Sequence, residues 1–192
     1  MPPVDWVPLV STAVGAAVAL IGTLLADVLR SRGDHDRDVR TDRRRAYVEF
    51  LLALNAAHAR LREIGDPQRV AQDLSRETSG AFSENHVYEG RELMLISADR
   101  SVLRYGEKAF EALVQMRKGV RDGIKTRTPE YHLIYHRYAE AVWRLRRAIR
   151  EDLGGSDLTP GDVEKSSWDG PENCEFCRKR LAVALDERPA TS

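Results

Sequence analysis

From Trp6 to Ala26 the chain carries no charge, and it then changes to a dense alternation of polar stretches and apolar stripes that runs to about Leu153. The first run is 21 residues long, bracketed by Asp5 and Asp27. At ~1.5 Å rise per residue it makes roughly 31 Å of helix, the thickness of a hydrocarbon core. A membrane span is the reading that follows. Trp6 suits the headgroup level, and Pro8 falls in the first turn, where backbone N–H groups have no intrahelical partner. A cleaved secretory signal would begin with a basic segment, yet Met1 to Asp5 holds no Lys or Arg, and the run exceeds a usual apolar signal core of roughly 7–15 residues.

Beyond the span, Ser31 to Arg40 is polar and contains Gly33, a hinge or the frayed start of a helix. Apolar residues at Tyr47, Phe50, Leu51, Leu54, Leu61 and Ile64 then predict a helix over about 41–64, stopped by Gly65 and Pro67. Asp66 before Pro67 is a cap followed by a first-turn proline and predicts a short helix through Leu74, with loop over Glu77 to Ser83. Glu84 to Ile96 reads as a further helix. Its run Leu93-Met94-Leu95-Ile96 has the look of a buried strand, but nothing else in the chain offers strands to pair with it.

Ser97, two residues before Asp99, reads as the cap of the next helix. That helix carries Val102, Leu103, Gly106, Ala109, Phe110, Leu113, Val114, Met116 and Val120 on one broad stripe and ends near Gly123. Thr128, Pro129 and Glu130 are the clearest start signal in the chain. The helix they open extends to Leu153, with Tyr131, Ile134, Tyr135, Tyr138, Val142, Leu145 and Ile149 inward, Glu140 and Arg144 paired on the wet side, and Gly154-Gly155 as its stop. A polar linker, 156–170, leads to a short helix over about 172–186 and a disordered end.

The fold class expected is therefore all-α: one N-terminal transmembrane helix, then an antiparallel bundle of about four helices. The divisions are an anchor over 1–29, an Arg/Asp-rich juxtamembrane linker over 30–42, the bundle over 43–154, and a tail over 155–192.

Charge decides orientation and little else. Arg30, Arg32, Arg37, Arg40, Arg43, Arg44 and Arg45 follow the span and no cation precedes it, which places the N-terminus outside and the C-terminal side in the cytoplasm. Thirty basic and thirty acidic residues cancel, giving no global reason to expect nucleic acid. Arg144, Arg146, Arg147 and Arg150 form a basic run, but Glu140, Glu151 and Asp152 dilute it, and it reads as a solvated face. Arg30, Arg32, Arg43, Arg44 and Arg45 suit anionic headgroups at the membrane surface.

Three sets of residues have chemistry to offer. Cys174 and Cys177, spaced as Cys-x-x-Cys, together with His132 and His136 four residues apart on one helix face, could supply the four ligands of a tetrahedral zinc site. The competing reading takes Cys174, Cys177, Leu181 and Ala184 at helical spacing as a small apolar docking face, and it is the one adopted, so that no metal and no cofactor is expected. His58 lies on the apolar stripe with Leu51, Leu54 and Leu61 and reads as a core-edge histidine. Within the span, Ser11, Gly15, Ala19 and Thr23 repeat every fourth residue, a face on which two copies of the helix approach closely. No nucleophile elbow, paired acid motif or phosphate-cradling glycine loop is present.

The uncharged span, the Arg/Asp-rich stretch running into Arg43-Arg44-Arg45-Ala46-Tyr47-Val48-Glu49-Phe50-Leu51, and the long helix ending at Arg147 to Gly154 resemble small uncharacterised single-span helical proteins of actinobacteria. The likeness covers roughly residues 6–153 and implies no activity. The expectation is a non-enzymatic, membrane-tethered helical module whose partners are the lipid bilayer, a second copy of itself and an unknown protein. The alternatives are a metal- or redox-dependent protein using Cys174 and Cys177, or an envelope protein with the bundle outside.

Overall fold

The structure is a computed structural model that describes residues 37–70 and 73–163. The chain divides into two units, Met1–Asp42 and Arg43–Ser192. Every described element is helical, with no strand among the described residues. The helices are α1 (37–64), α2 (Leu74–Ser83), α3 (Val87–Ser97), α4 (Arg100–Arg121) and α5 (Pro129–Asp152), followed by a 3₁₀ turn at Pro160–Val163. No helix among the described residues is long and apolar enough to cross a membrane. The span expected over 6–26 and the helix expected over 172–186 lie outside the described residues.

The second unit is built on three long helices. Tyr47, Phe50, Leu54, Leu61 and Ile64 of α1 are fully buried, together with Val102, Leu113, Met116 and Val120 of α4 and Leu145 of α5. α5 runs antiparallel to both neighbours or near-neighbours it meets: Tyr131 lies against Met116 of α4, with its hydroxyl 3.8 Å from Met116 Sδ. On α1, the Tyr138 hydroxyl donates to the Leu54 carbonyl at 3.0 Å. At one end, Tyr47 gathers all three helices. Its hydroxyl donates to Asp152 Oδ2 at 2.8 Å and accepts the Asp99 N–H at 3.4 Å. Burial and the Asp152 hydrogen bond push the Tyr47 phenol up to about 12, so it keeps its proton and its donor role across the physiological range.

α2 and α3 close the remaining side. Phe82 of α2, fully buried, meets Phe110 of α4 edge-on at 6.3 Å between ring centroids and carries the Arg117 guanidinium 4.4 Å above its own ring. From α3, Arg91 makes a bidentate pair with Glu107 of α4 at 2.8 and 2.7 Å and stacks over Phe110 at 4.8 Å. Gly90 lets α3 sit directly on α1, since a β-carbon there would lie 3.1 Å from the Phe50 Cα.

Four sequence expectations need correction here. The short helix expected through Leu74 is not formed over the described residues 67–70: Asp66 Oδ1 accepts the Gln68 N–H at 2.7 Å and the Asp66 carbonyl accepts the Arg69 N–H at 3.1 Å, so this Asp closes a tight turn. The stretch 77–83, expected as loop, is helical, because Asp73 caps the Arg76 N–H at 3.0 Å and Thr78, Ala81 and Phe82 bury at helical spacing. Ser97 ends α3, and it is Asp99 that stands at the start of α4. The stretch expected as one helix from Glu84 begins at Val87 instead, after His86, whose φ of 54° breaks the path out of α2. Leu93 to Ile96 is helical, as read.

Candidate functional surfaces

The histidines of the sequence reading divide. His132 and His136 do stand together on α5, with ring centroids 6.3 Å apart, and burial together with His136 holds His132 below the usual histidine range. Cys174 and Cys177 lie outside the described residues. Among the described residues no group of three or more His, Cys, Asp or Glu side chains is placed to hold a metal ion.

His58 is pressed between two tyrosines, stacked on Tyr135 at 5.5 Å and tilted against Tyr138 at 5.0 Å. Its Nε2 is buried and makes no hydrogen bond among the described residues. Burial, with Arg62 nearby, brings its pKa down to about 4. The ring is thus neutral at neutral pH and serves as a flat piece of core between α1 and α5.

The arginines next to the expected anchor are partly committed elsewhere. Arg43 reaches Asp152 at 3.5 Å and Arg45 pairs with Glu49 at 2.7 Å, while Arg44 is exposed. Arg30 and Arg32, like Ser11, Gly15, Ala19 and Thr23, lie outside the described residues. On α5, Arg144 pairs with Glu140 at 2.6 Å, and Arg147 makes a bidentate contact with Asp157 at 2.9 and 2.8 Å. Arg150 donates to the Ser156 carbonyl at 3.1 Å, and Arg146 lies 4.6 Å above the Trp143 ring. These four cations are spent on the protein's own surface groups.

Two features of the surface were missed in the sequence. The first is a groove of about 490 Å³ between α1 and α3, with Leu52, Ala53, Ala56, Gly90 and Leu93 along its floor and walls and Glu49, Glu84 and Glu89 around it. Leu52 is 62% exposed and Leu93 42%; Val48, one turn before Leu52, and Ile96, three residues after Leu93, continue the apolar lines at 48% and 82%. The signal was present as a second stripe on α1, Val48, Leu52 and Ala56 at intervals of four, beside the stripe that fills the core.

The second is a cleft of about 410 Å³ at the C-terminal end of α1, lined by Arg62, Asp66, Thr126, Arg127, Tyr131, His132 and Tyr135. The loop that supplies Thr126 and Arg127 is tied down on both sides. Gly123, at a φ of 92°, ends α4; the Ile124 N–H donates to the Gly119 carbonyl at 2.9 Å, and the Thr126 N–H to the Gly65 carbonyl at 2.9 Å. Thr128 then caps α5 by accepting the Tyr131 N–H at 3.3 Å. No sequence spacing announces this site, because its residues come from a helix end, a loop and a third element brought together only by the fold. No protein family, curated protein or solved structure matches the chain.

Proposed function

We propose that this chain is a non-enzymatic, membrane-tethered helical interaction module, held by its 6–26 segment with the bundle on the cytoplasmic side, and that the α1/α3 groove is its contact surface. The observation that carries the reading is the apolar floor left open on the bundle, Leu52 and Leu93 with Val48 and Ile96 beyond them. A groove of this kind takes an amphipathic helix, whose apolar side chains at intervals of three and four fill it. Glu49, Glu84 and Glu89 around it favour a helix flanked by cations.

The occupant that meets both demands is the chain's own 172–186 segment. It carries Arg178-Lys179-Arg180 next to Leu181, Val183 and Leu185, and its Cys174, Cys177, Leu181 and Ala184 share a face at helical spacing. Eight residues separate Val163 from Glu172, which extended reach roughly 30 Å. We take the segment to meet either its own groove or that of a neighbouring copy on the same membrane.

The chain's two cysteines both lie in this segment, so thiol alkylation of the full-length protein in detergent reads docking without any added label. Cys174 and Cys177 should react several-fold more slowly in the intact chain than in a free 164–192 peptide, and Leu52→Glu should restore the peptide rate. Equal rates in intact chain and peptide would overturn the assignment of the groove. Sedimentation of the same samples separates the two arrangements: a monomer means the segment folds back on its own bundle, an oligomer that dissociates in Leu52→Glu means it crosses to a second copy.

A further inference from the structure

We infer that the cleft between the C-terminal end of α1 and the N-terminal end of α5 binds a small phosphate monoester carrying a flat apolar body. The inference is independent of the groove, since none of the groove's lining residues is shared with the cleft.

Arg62 comes from the last turns of α1 and Arg127 from the loop before α5, and neither makes an ion pair with a carboxylate among the described residues. Each guanidinium offers a planar fork of N–H donors. A carboxylate has two oxygens, which one fork satisfies; a phosphate monoester has three terminal oxygens and nearly two charges at pH 7, and makes use of both. Asp66 is the one acid in the lining, and its Oδ1 is already engaged by the Gln68 N–H at 2.7 Å. Two cations against one anion leave the cleft net positive.

The remaining lining explains the body of the ligand. Tyr135, stacked on His58 by one face, and His132, both half-buried, supply the aromatic surface, while Tyr131, buried with its hydroxyl turned inward to Met116, closes the base of the cleft. The volume, about 410 Å³, lies in the range of small-ligand sites. The loop bonds from Thr126 to Gly65 and from Ile124 to Gly119 hold the Arg127 backbone in place before any ligand arrives, so little ordering is left for binding to oppose.

The test uses the full-length chain in phosphatidylcholine nanodiscs, titrated by calorimetry at constant ionic strength with inorganic phosphate and with phenyl phosphate, potassium chloride serving as the control. Saturable binding is expected for both, with phenyl phosphate tighter by at least about threefold for the added ring contact. Arg62→Gln and Arg127→Gln should each weaken it by about tenfold or more, Arg127→Lys by less, with melting temperatures unchanged because both side chains are exposed. Absence of saturable binding, or binding indifferent to both Gln variants, would overturn the site. Nanodiscs containing phosphatidic acid separate the sources of the phosphate: competition with phenyl phosphate assigns a lipid headgroup, and undiminished binding assigns a soluble ester.

Discussion

His58 shows how one side chain couples the core to pH. In the folded chain its pKa is brought down to about 4 by burial against Tyr135 and Tyr138, while in the unfolded chain it titrates near the ordinary value of about 6.5. Between those values the unfolded state binds the extra proton, so the stability due to the neutral, stacked ring is fully present above about pH 6.5 and is lost as the pH falls toward about 4. A shift of this size corresponds to about 3 kcal/mol. His132, also held below its usual range, adds to the same slope, and the carboxylates Glu63, Asp157 and Asp162, lowered chiefly by hydrogen bonds from Arg60, from Arg147 and from the Thr159 N–H respectively, add a loss of the same sign as the pH falls through the ordinary carboxylate range and below it. Urea melts at pH 7 and pH 5 should therefore show a clear loss for the native chain. His58→Phe, which keeps a flat ring without the titrating nitrogen, should remove most of it; an equal loss in the variant would place the pH dependence elsewhere.

At the scale of elements, the glycines separate close packing from loose packing. In the middle of α2, a β-carbon at Gly80 would meet Glu84 Oε1 at 3.0 Å, the tip of an exposed side chain that can swing away. Gly80→Ala should thus stabilise the fold by roughly 0.5–1 kcal/mol through backbone entropy. At Gly90 the obstacle is the Phe50 Cα and N, at 3.1 and 3.5 Å, part of a helix that has no rotamer to change. Gly90→Ala should be destabilising by about 1–3 kcal/mol as α3 is pushed off α1, and the two variants should move the urea midpoint in opposite directions. A shift in the same direction for both would mean that α3 does not rest on α1 at this contact.

The same elements show what the sequence could and could not reveal. α1, α4 and α5 were legible because each carries an apolar stripe several turns long, and α5 also opens with Thr128-Pro129-Glu130. α2 was not, because it buries only Thr78, Ala81 and Phe82, and its cap, Asp73, stands just after a more conspicuous Asp66-Pro67 pair that closes a turn. Two Asp residues seven apart carry the same capping chemistry, and only tertiary packing of Phe82 against Phe110 decides which of them starts a helix. The His132 and His136 pair was legible from spacing alone. Neither the α1/α3 groove nor the Arg62–Arg127 cleft was, since each depends on which elements become neighbours.

For the whole molecule, the two proposed sites occupy different parts of one bundle, and tethering would fix what each can meet. Held at a membrane, the groove would see other copies at high local concentration, which favours weak helix-in-groove contacts that would not persist between free molecules. The Tyr47 clasp supports this arrangement mechanically, because Tyr47, Asp99 and Asp152 lock α1, α4 and α5 together at the end of the unit nearest Arg43. All of it depends on the uncharged 6–26 segment acting as an anchor. The most direct measurement is carbonate extraction of membranes from cells producing the full-length chain and, in parallel, a chain lacking residues 1–36. The full-length protein should remain in the pellet while the shortened one appears in the supernatant as a folded helical domain. Release of intact full-length protein by carbonate would contradict the account.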